Sequence, residues 1–263
     1  MQFGGSAKLS VATLVGVAFC ALAPLPAESG RRPFLFTYDS EIVPEGDVEL
    51  EQWLWAESKV PASPNRPALY WIWWGPVIGA SNHLEIALPF QVVASANSMG
   101  LNWFSADLRY RFFSRERDGG IQPLLRVAVK QAIRSQSAPS TVEMNLITTY
   151  GRATRLHLSV DLGLEVALPW PENAPQRPIT ATYAAGVAYP LFGSELRIAA
   201  EFYGERSWQR DTASTIVDRY SVGGSVSWTR GRIWITAGTL VGLTGLSSST
   251  PEFSPRLIWA VAF

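Results

Sequence analysis

The feature that most limits how this chain can fold is an alternation of long and tight connections between short strand-like runs. From residue 46 onward the sequence divides into about twelve runs with polar/apolar alternation: 46–56, 68–78, 83–94, 101–113, 121–133, 141–150, 155–168, 179–191, 195–204, 216–229, 232–244 and 255–263. Ten or so residues is the length a tilted strand needs to cross a hydrocarbon layer. The odd-numbered connections are mostly long and rich in Pro, Ser, Asn and Gln, as in Ser58–Pro67, Pro169–Pro178, Glu205–Thr215 and Gly245–Ser254. Most even-numbered ones are tight: Gly79–Asn82, Gly151–Thr154, Phe192–Ser194 and Arg230–Gly231. A soluble sandwich has no reason to alternate in this way. A membrane barrel does, because its turns are short on one side and its loops long on the other. The expected fold is all-β: a transmembrane antiparallel up-and-down β-barrel of about twelve strands, following a cleaved signal peptide.

The alternation also assigns faces, since successive side chains on a strand point to opposite sides. In 155–168, Leu156, Leu158, Val160, Leu162 and Leu164 oppose Arg155, His157, Ser159, Asp161 and Glu165. Lipid offers no hydrogen bonds, so the charged set must face the lumen. On that rule the lumen is lined by Glu49, Glu51, Glu85, Asp107, Arg109, Arg111, Arg126, Lys130, Glu143, Arg155, Asp161, Glu165, Arg197, Glu201 and Arg219. Both signs are mixed. Such charges either line a narrow aqueous path or pair with one another and close it. The long loop Glu205–Thr215 is a candidate plug.

Composition agrees with a lipid-facing surface. Charged residues make up 17% of the chain, below the roughly 25% usual in soluble domains, and there are 11 Trp. Trp71, Trp73, Trp228, Trp234, Trp259 and Phe263 lie near run ends, where interfacial aromatic girdles are expected. Trp53, Trp55 and Trp103 fall on inward positions and could offer an aromatic path to a hydrophobic solute. The formal net charge is zero, which argues against nucleic acid as a partner.

Residues 1–27 read as a secretory signal peptide, with Lys8, the apolar stretch Leu9–Leu22 and a cleavage point after Ala27. The one cysteine, Cys20, lies within it, so the mature chain carries no thiol chemistry. Residues 28–45 read as a periplasmic lead-in and 46–263 as the barrel. An even strand count places both termini in the periplasm. The final strand, Arg256–Phe263, has one large apolar face and ends on an aromatic residue, like the closing strands recognised by the barrel-assembly machinery. The expected surroundings are outer-membrane lipid and lipopolysaccharide of a Gram-negative bacterium.

Three segments resemble outer-membrane barrels assigned as transporters of the phenol-degradation meta-pathway type: Val43–Glu51 (VPEGDVELE), Gly79–Leu88 (GASNHLEIAL) and Ser105–Phe112 (SADLRYRF). The first matches that family's V-P-x-G approach to an acidic first strand, where Pro44 fixes the chain and Gly46 permits a sharp turn. The chain departs from the pattern in its Trp-rich second run (Tyr70–Trp74) and in Ala106, where Gly is common. The resemblance implies an outer-membrane barrel with transport function and names no substrate.

The expected function is therefore a passive channel or transporter for a small solute, hydrophobic in one version, with no cofactor and no metal. Two histidines, His83 and His157, give no metal-ligand spacing. An alternative is a lipid hydrolase using His157 and Ser159, two residues apart on one strand face. Another is a closed structural or adhesion barrel acting through its loops.

Overall fold

The computed structural model describes residues 32–63, 65, 68–95, 98–113, 120–133, 140–151, 155–168, 178–192, 195–209 and 215–263. The expected signal peptide, residues 1–27, lies outside the described residues, as do most of the Pro169–Pro178 and Ser114–Gly120 connections. The strands are β1 (Val48–Glu57), β2 (Leu69–Gly79), β3 (Leu84–Ala87), β4 (Phe90–Ser95), β5 (Ser98–Arg111), β6 (Ile121–Ala132), β7 (Thr141–Gly151), β8 (His157–Ala167), β9 (Pro178–Phe192), β10 (Leu196–Gln209), β11 (Thr215–Arg230), β12 (Ile233–Gly242) and β13 (Phe253–Ala262).

Each strand pairs antiparallel with its neighbours, and β1 closes the sheet by pairing with both β2 and β13. Segments β3 and β4 are two halves of one stave, since both pair with β2 and with β5. Their break falls at Leu88–Pro89, where proline has no N–H to give the ladder. Counted this way, the barrel has twelve staves. Among the described residues no strand edge is left open, which is what lets a sheet sit in hydrocarbon.

The outer wall is apolar. Along β8, Leu162 is 54% exposed while its neighbour Asp161 is 4% exposed. Leu108, Val129, Leu146, Val160, Val187, Ile198, Val226 and Val241 continue the exposed apolar band around the barrel. Water would not tolerate such a contiguous surface, and lipid requires it. Tyr110, Tyr150, Tyr189 and Phe263 stand exposed at the end of the barrel that carries the short turns. Trp228 and Trp259 flank Ile235 on the outer face.

Three expected girdle tryptophans point inward instead. Glu49 and Glu51 face the lumen, so period-2 alternation brings Trp53 and Trp55 with them. Trp73 and Trp71 are their cross-strand partners on β2 and share that face. Trp55 and Trp71 stack with ring centroids 4.6 Å apart. Trp234 is fully buried and its indole N–H donates to Glu49 Oε2 at 3.1 Å. Ala260, its small cross-strand neighbour, leaves the room.

Other expectations also shift. Arg155 precedes β8 and is exposed, because the strand begins only at His157. The expected plug loop Glu205–Thr215 is largely strand: β10 runs on to Gln209, and Arg206 lies opposite Asp218 with Nε–Oδ1 at 2.8 Å. The lead-in before β1 lies inside the barrel from the first described residue onward, held by the wall's polar side chains.

Candidate functional site

Residues 32–43 form a plug across the half of the lumen nearest the short turns. The chain reaches β1 through Pro44, Glu45 and Gly46, whose φ is +85°, a value glycine adopts without strain. Gly79 allows the crossing: a Cβ there would lie 1.8 Å from Pro44 O. Going backward from this point, the plug passes one stave after another. The Val43 N–H donates to Glu85 on β3 at 2.7 Å. The Ser40 N–H donates to Thr149 Oγ1 on β7 at 2.9 Å. Ser159 Oγ on β8 donates to Tyr38 O at 2.7 Å. On β11, Ser225 Oγ donates to Pro33 O at 2.9 Å, and Thr236 on β12 donates to Arg32 O.

The tightest polar grip comes from Glu201 on β10. Its carboxylate accepts three successive backbone N–H groups, from Leu35, Phe36 and Thr37, at 2.7, 2.8 and 3.0 Å. Hydrogen bonds to an ionised carboxylate are the strong kind. Arg32 adds an ion pair with Glu51 at 3.0 Å. Apolar contacts follow the same path. Leu35 packs with Trp234, Ile258 and Ala260; Ile42 with Leu124 and Ile147; Val43 with Val77 and Ala87. Each of these three buried apolar clusters contains a plug residue. Gly186 on β9 is shaped to the plug as well, since a Cβ there would meet the Phe34 ring at 2.5 Å.

On the other side of the plug lies a vestibule of about 340 Å³. Phe36 and Tyr38 form its floor, and it reaches the loop-end residues Glu57, Glu165 and Ser254. One wall is aromatic, made by Trp53, Trp55, Trp73 and Tyr203. The opposite wall is a charge ladder on β5 to β8. Arg109 and Arg126 are direct cross-strand partners, as are Glu143 and Glu165. Like charges so placed repel, and diagonal opposite charges compensate them. Arg126 Nε reaches Asp107 at 3.0 Å and its Nη1 reaches Glu143 at 2.9 Å. Lys130 sits between Glu143 and Glu165 at 2.8 and 2.7 Å. Arg109 pairs with Glu85; Asn145 accepts from Arg126 and donates to Asp161, both bonds being 2.9 Å long.

Most of the remaining expected lining residues lie at plug level, and Arg219 lies at the loop end. Glu49 and Glu51 flank Trp234 and Arg32, Arg111 bonds Gln122, and Arg197 is buried on β10. Arg219 lies 3.7 Å from Glu57 and 3.9 Å from Glu205 at the loop end. Six participants were absent from the expected set: Arg256, Asp39, Glu205, Asn145, Glu57 and Arg32. Arg256 and Glu205 share the face of Ile258 and Glu201 respectively, so alternation alone would have found them. Asp39 and the rest of the plug carry no periodic signal.

His157 and Ser159 do not form a base–nucleophile pair in this structure. Ser159 is engaged by Tyr38 O and Thr149 Oγ1. The His157 ring packs against Phe34 with centroids 5.6 Å apart, and its Nε2 lies 3.7 Å from Asp39. Burial pushes the Asp39 carboxyl up to about 7, with Glu41 adding to the rise and Arg32 and Arg197 opposing it.

A closed transmembrane barrel with a plug from its own amino-terminal segment is thus the class that fold and site define. No family model matches the chain, and no curated protein sequence does. Among solved structures it is similar to an outer membrane channel from Pseudomonas putida F1, with 10% identity and a TM-score of 0.57, covering 88% of this chain and 100% of that one. A bacterial polysaccharide outer membrane secretin (11% identity, TM-score 0.44) and the KdgM porin (9%, 0.43) each match over 82% of this chain, and over 97% and 99% of their own chains. At these identities the likeness concerns the fold.

Proposed function

We propose that this protein is an outer-membrane channel for small solutes in a Gram-negative bacterium, gated by its amino-terminal plug. The short turns and both termini face the periplasm, and the long loops face outward. The observation that carries the reading is the vestibule: about 340 Å³ of lined space that reaches the loop end and stops on Phe36 and Tyr38. A structural barrel has no need of such a chamber. Its aromatic wall suits a solute with an apolar part. Membership of the phenol-degradation meta-pathway transporter type belongs to this proposal and rests on Val43–Glu51, Gly79–Leu88 and Ser105–Phe112. So do assembly through the terminal Phe263 and contact with lipopolysaccharide on the outer leaflet.

The test is uptake of small solutes into proteoliposomes holding the mature protein, followed by isosmotic swelling. Swelling that rises when the plug is loosened, as by Glu201→Gln, is the expected result. Swelling no faster than in protein-free vesicles, for every variant, contradicts a channel.

A further inference from the structure

We infer that the vestibule takes small organic cations, an ammonium group on a compact apolar body, in preference to neutral or anionic solutes. The inference deepens the channel reading and relies on it for access to the chamber.

The lining is richer in negative charge than in positive. Among the described residues, seven carboxylates and five cations face the chamber. Arg32 and Glu85, which pair with lining residues from plug level, add one charge of each sign. The excess is not spread evenly. Near the plug the signs balance: Arg32 with Glu51, Arg109 with Glu85 and Arg126 with Asp107, while Arg256 and Asp161 add one of each. At the loop end each cation is bracketed by two carboxylates. Lys130 lies 2.8 Å from Glu143 and 2.7 Å from Glu165, and Arg219 lies 3.7 Å from Glu57 and 3.9 Å from Glu205. These groups meet water. The Glu165 side chain is 32% exposed and that of Glu205 20%, against 5% for Asp107. A low-dielectric wall concentrates the field of such a mouth, and rings of Asp and Glu draw cations into pores.

A second observation is the order of side chains along the wall. On β10, Tyr203 stands between Glu201 and Glu205, and its hydroxyl donates to Glu205 at 3.2 Å. On β1 the inner face reads Glu51, Trp53, Trp55, Glu57. On both strands the deeper carboxylate serves the plug, Glu201 by holding Leu35 and Glu51 by pairing with Arg32, and the outer one faces the chamber. Aromatic faces carry negative potential, so rings and carboxylates here attract the same sign of charge. The wall already holds one cation in this way. The Arg256 Cζ lies 3.7 Å from the Phe36 ring centroid and 4.5 Å from Trp55, with no carboxylate within ion-pair distance among the described residues. Trp73 and Tyr203 extend the same surface. A bare inorganic cation keeps its water shell and gains little from rings. A weakly hydrated ammonium bearing methyl groups gains from rings and carboxylates together. The volume lies at the lower end of ligand chambers, roughly 300–1,000 Å³, which favours a compact body.

The experiment is equilibrium binding to the full mature protein in detergent at low salt, read by tryptophan fluorescence. Three probes share a shape and differ in charge: tetramethylammonium, tert-butanol and pivalate. Tetramethylammonium is expected to bind at least ~tenfold more tightly than either of the others, the size of one desolvated cation–π contact. Potassium at equal concentration should not displace it. Glu165→Gln combined with Glu205→Gln, checked for folding by unheated-gel mobility, loses the preference. Asp218→Asn, which removes the carboxylate paired with exposed Arg206 beside Arg219, keeps it. Binding of tert-butanol or pivalate as tight as that of tetramethylammonium overturns the charge assignment, and displacement by equal potassium overturns the organic one. Retention of the preference in the double variant, or its loss in Asp218→Asn, overturns the role of the mouth carboxylates. Channel failure is seen separately: a barrel that binds tetramethylammonium but never swells vesicles loses the transport reading and keeps this site.

Discussion

The carboxylate of Glu201 accepts the backbone N–H of Leu35 at 2.7 Å, joining wall and plug across 166 residues of sequence. Phe36 and Thr37 donate to the same side chain. Glu201→Gln keeps the shape and removes the charge that strengthens all three bonds. Charge-assisted bonds exceed neutral ones by about 1 kcal/mol or more each. The plug should therefore leave its seat at least ~tenfold more often, because about 1.4 kcal/mol is a factor of ten. Single-channel open probability checks this, and an unchanged value would remove Glu201 from the gate.

Arg126 is the node of the charge ladder. Replacing it by Met leaves Asp107 and Glu143 facing each other with their shared cation gone. Breaking a buried ionic network from one side costs about 3–5 kcal/mol. The heat-modifiable gel shift should move to markedly lower temperature. Arg206→Ala, at an exposed pair with Asp218, should leave the same transition nearly in place.

The strand pattern was legible in the sequence because lipid enforces it. Hydrocarbon accepts only apolar side chains, so every wall strand must alternate, and all twelve staves fall close to the expected runs. The charged inner set was legible for the same reason. Trp71, Trp73 and Trp234 were misplaced because residue type was weighed above register. Once Glu49 and Glu51 fix one face of β1, pairing to β2 turns Trp71 and Trp73 inward. The plug was not legible. It has no period of 2 or 3.6, and its partners are single side chains on staves far apart in sequence. The clue lay in those partners: Glu201, Ser159, Ser225 and Thr236 are polar groups on inner faces that must find something to bond.

Asp39 should make the gate sensitive to pH. Its carboxyl is raised to about 7 in the docked plug, against an ordinary value near 3.9 when the plug is free in water. Docking therefore favours the protonated form. This contribution is fully present below the free value and is lost as pH rises through the docked one. Glu41, Arg32, Arg197 and His157 are the charged or titratable groups around it. Open probability should rise between roughly pH 4 and 7 and level off above that, and Asp39→Asn should flatten that rise. A steeper rise in Asp39→Asn would place the titration elsewhere.

Gly186→Ala inserts a methyl group that meets the Phe34 ring at 2.5 Å. Because the plug is easier to displace than a paired stave, the barrel should still fold, and the plug should dock more weakly. Phe34→Leu in the same chain frees space and should recover part of the lost docking. Open probability in the single and double variants gives the coupling directly.

The central claim is that residues 32–43 close the lumen. It is tested most directly by single-channel current through the mature barrel with and without that segment, each first shown to be folded by its unheated-gel mobility. Without the segment, long-lived conductance steps should appear, and a synthetic peptide of residues 32–43, added from the turn side, should close them. Equal currents from the two proteins, with no block by the peptide, would contradict a plug.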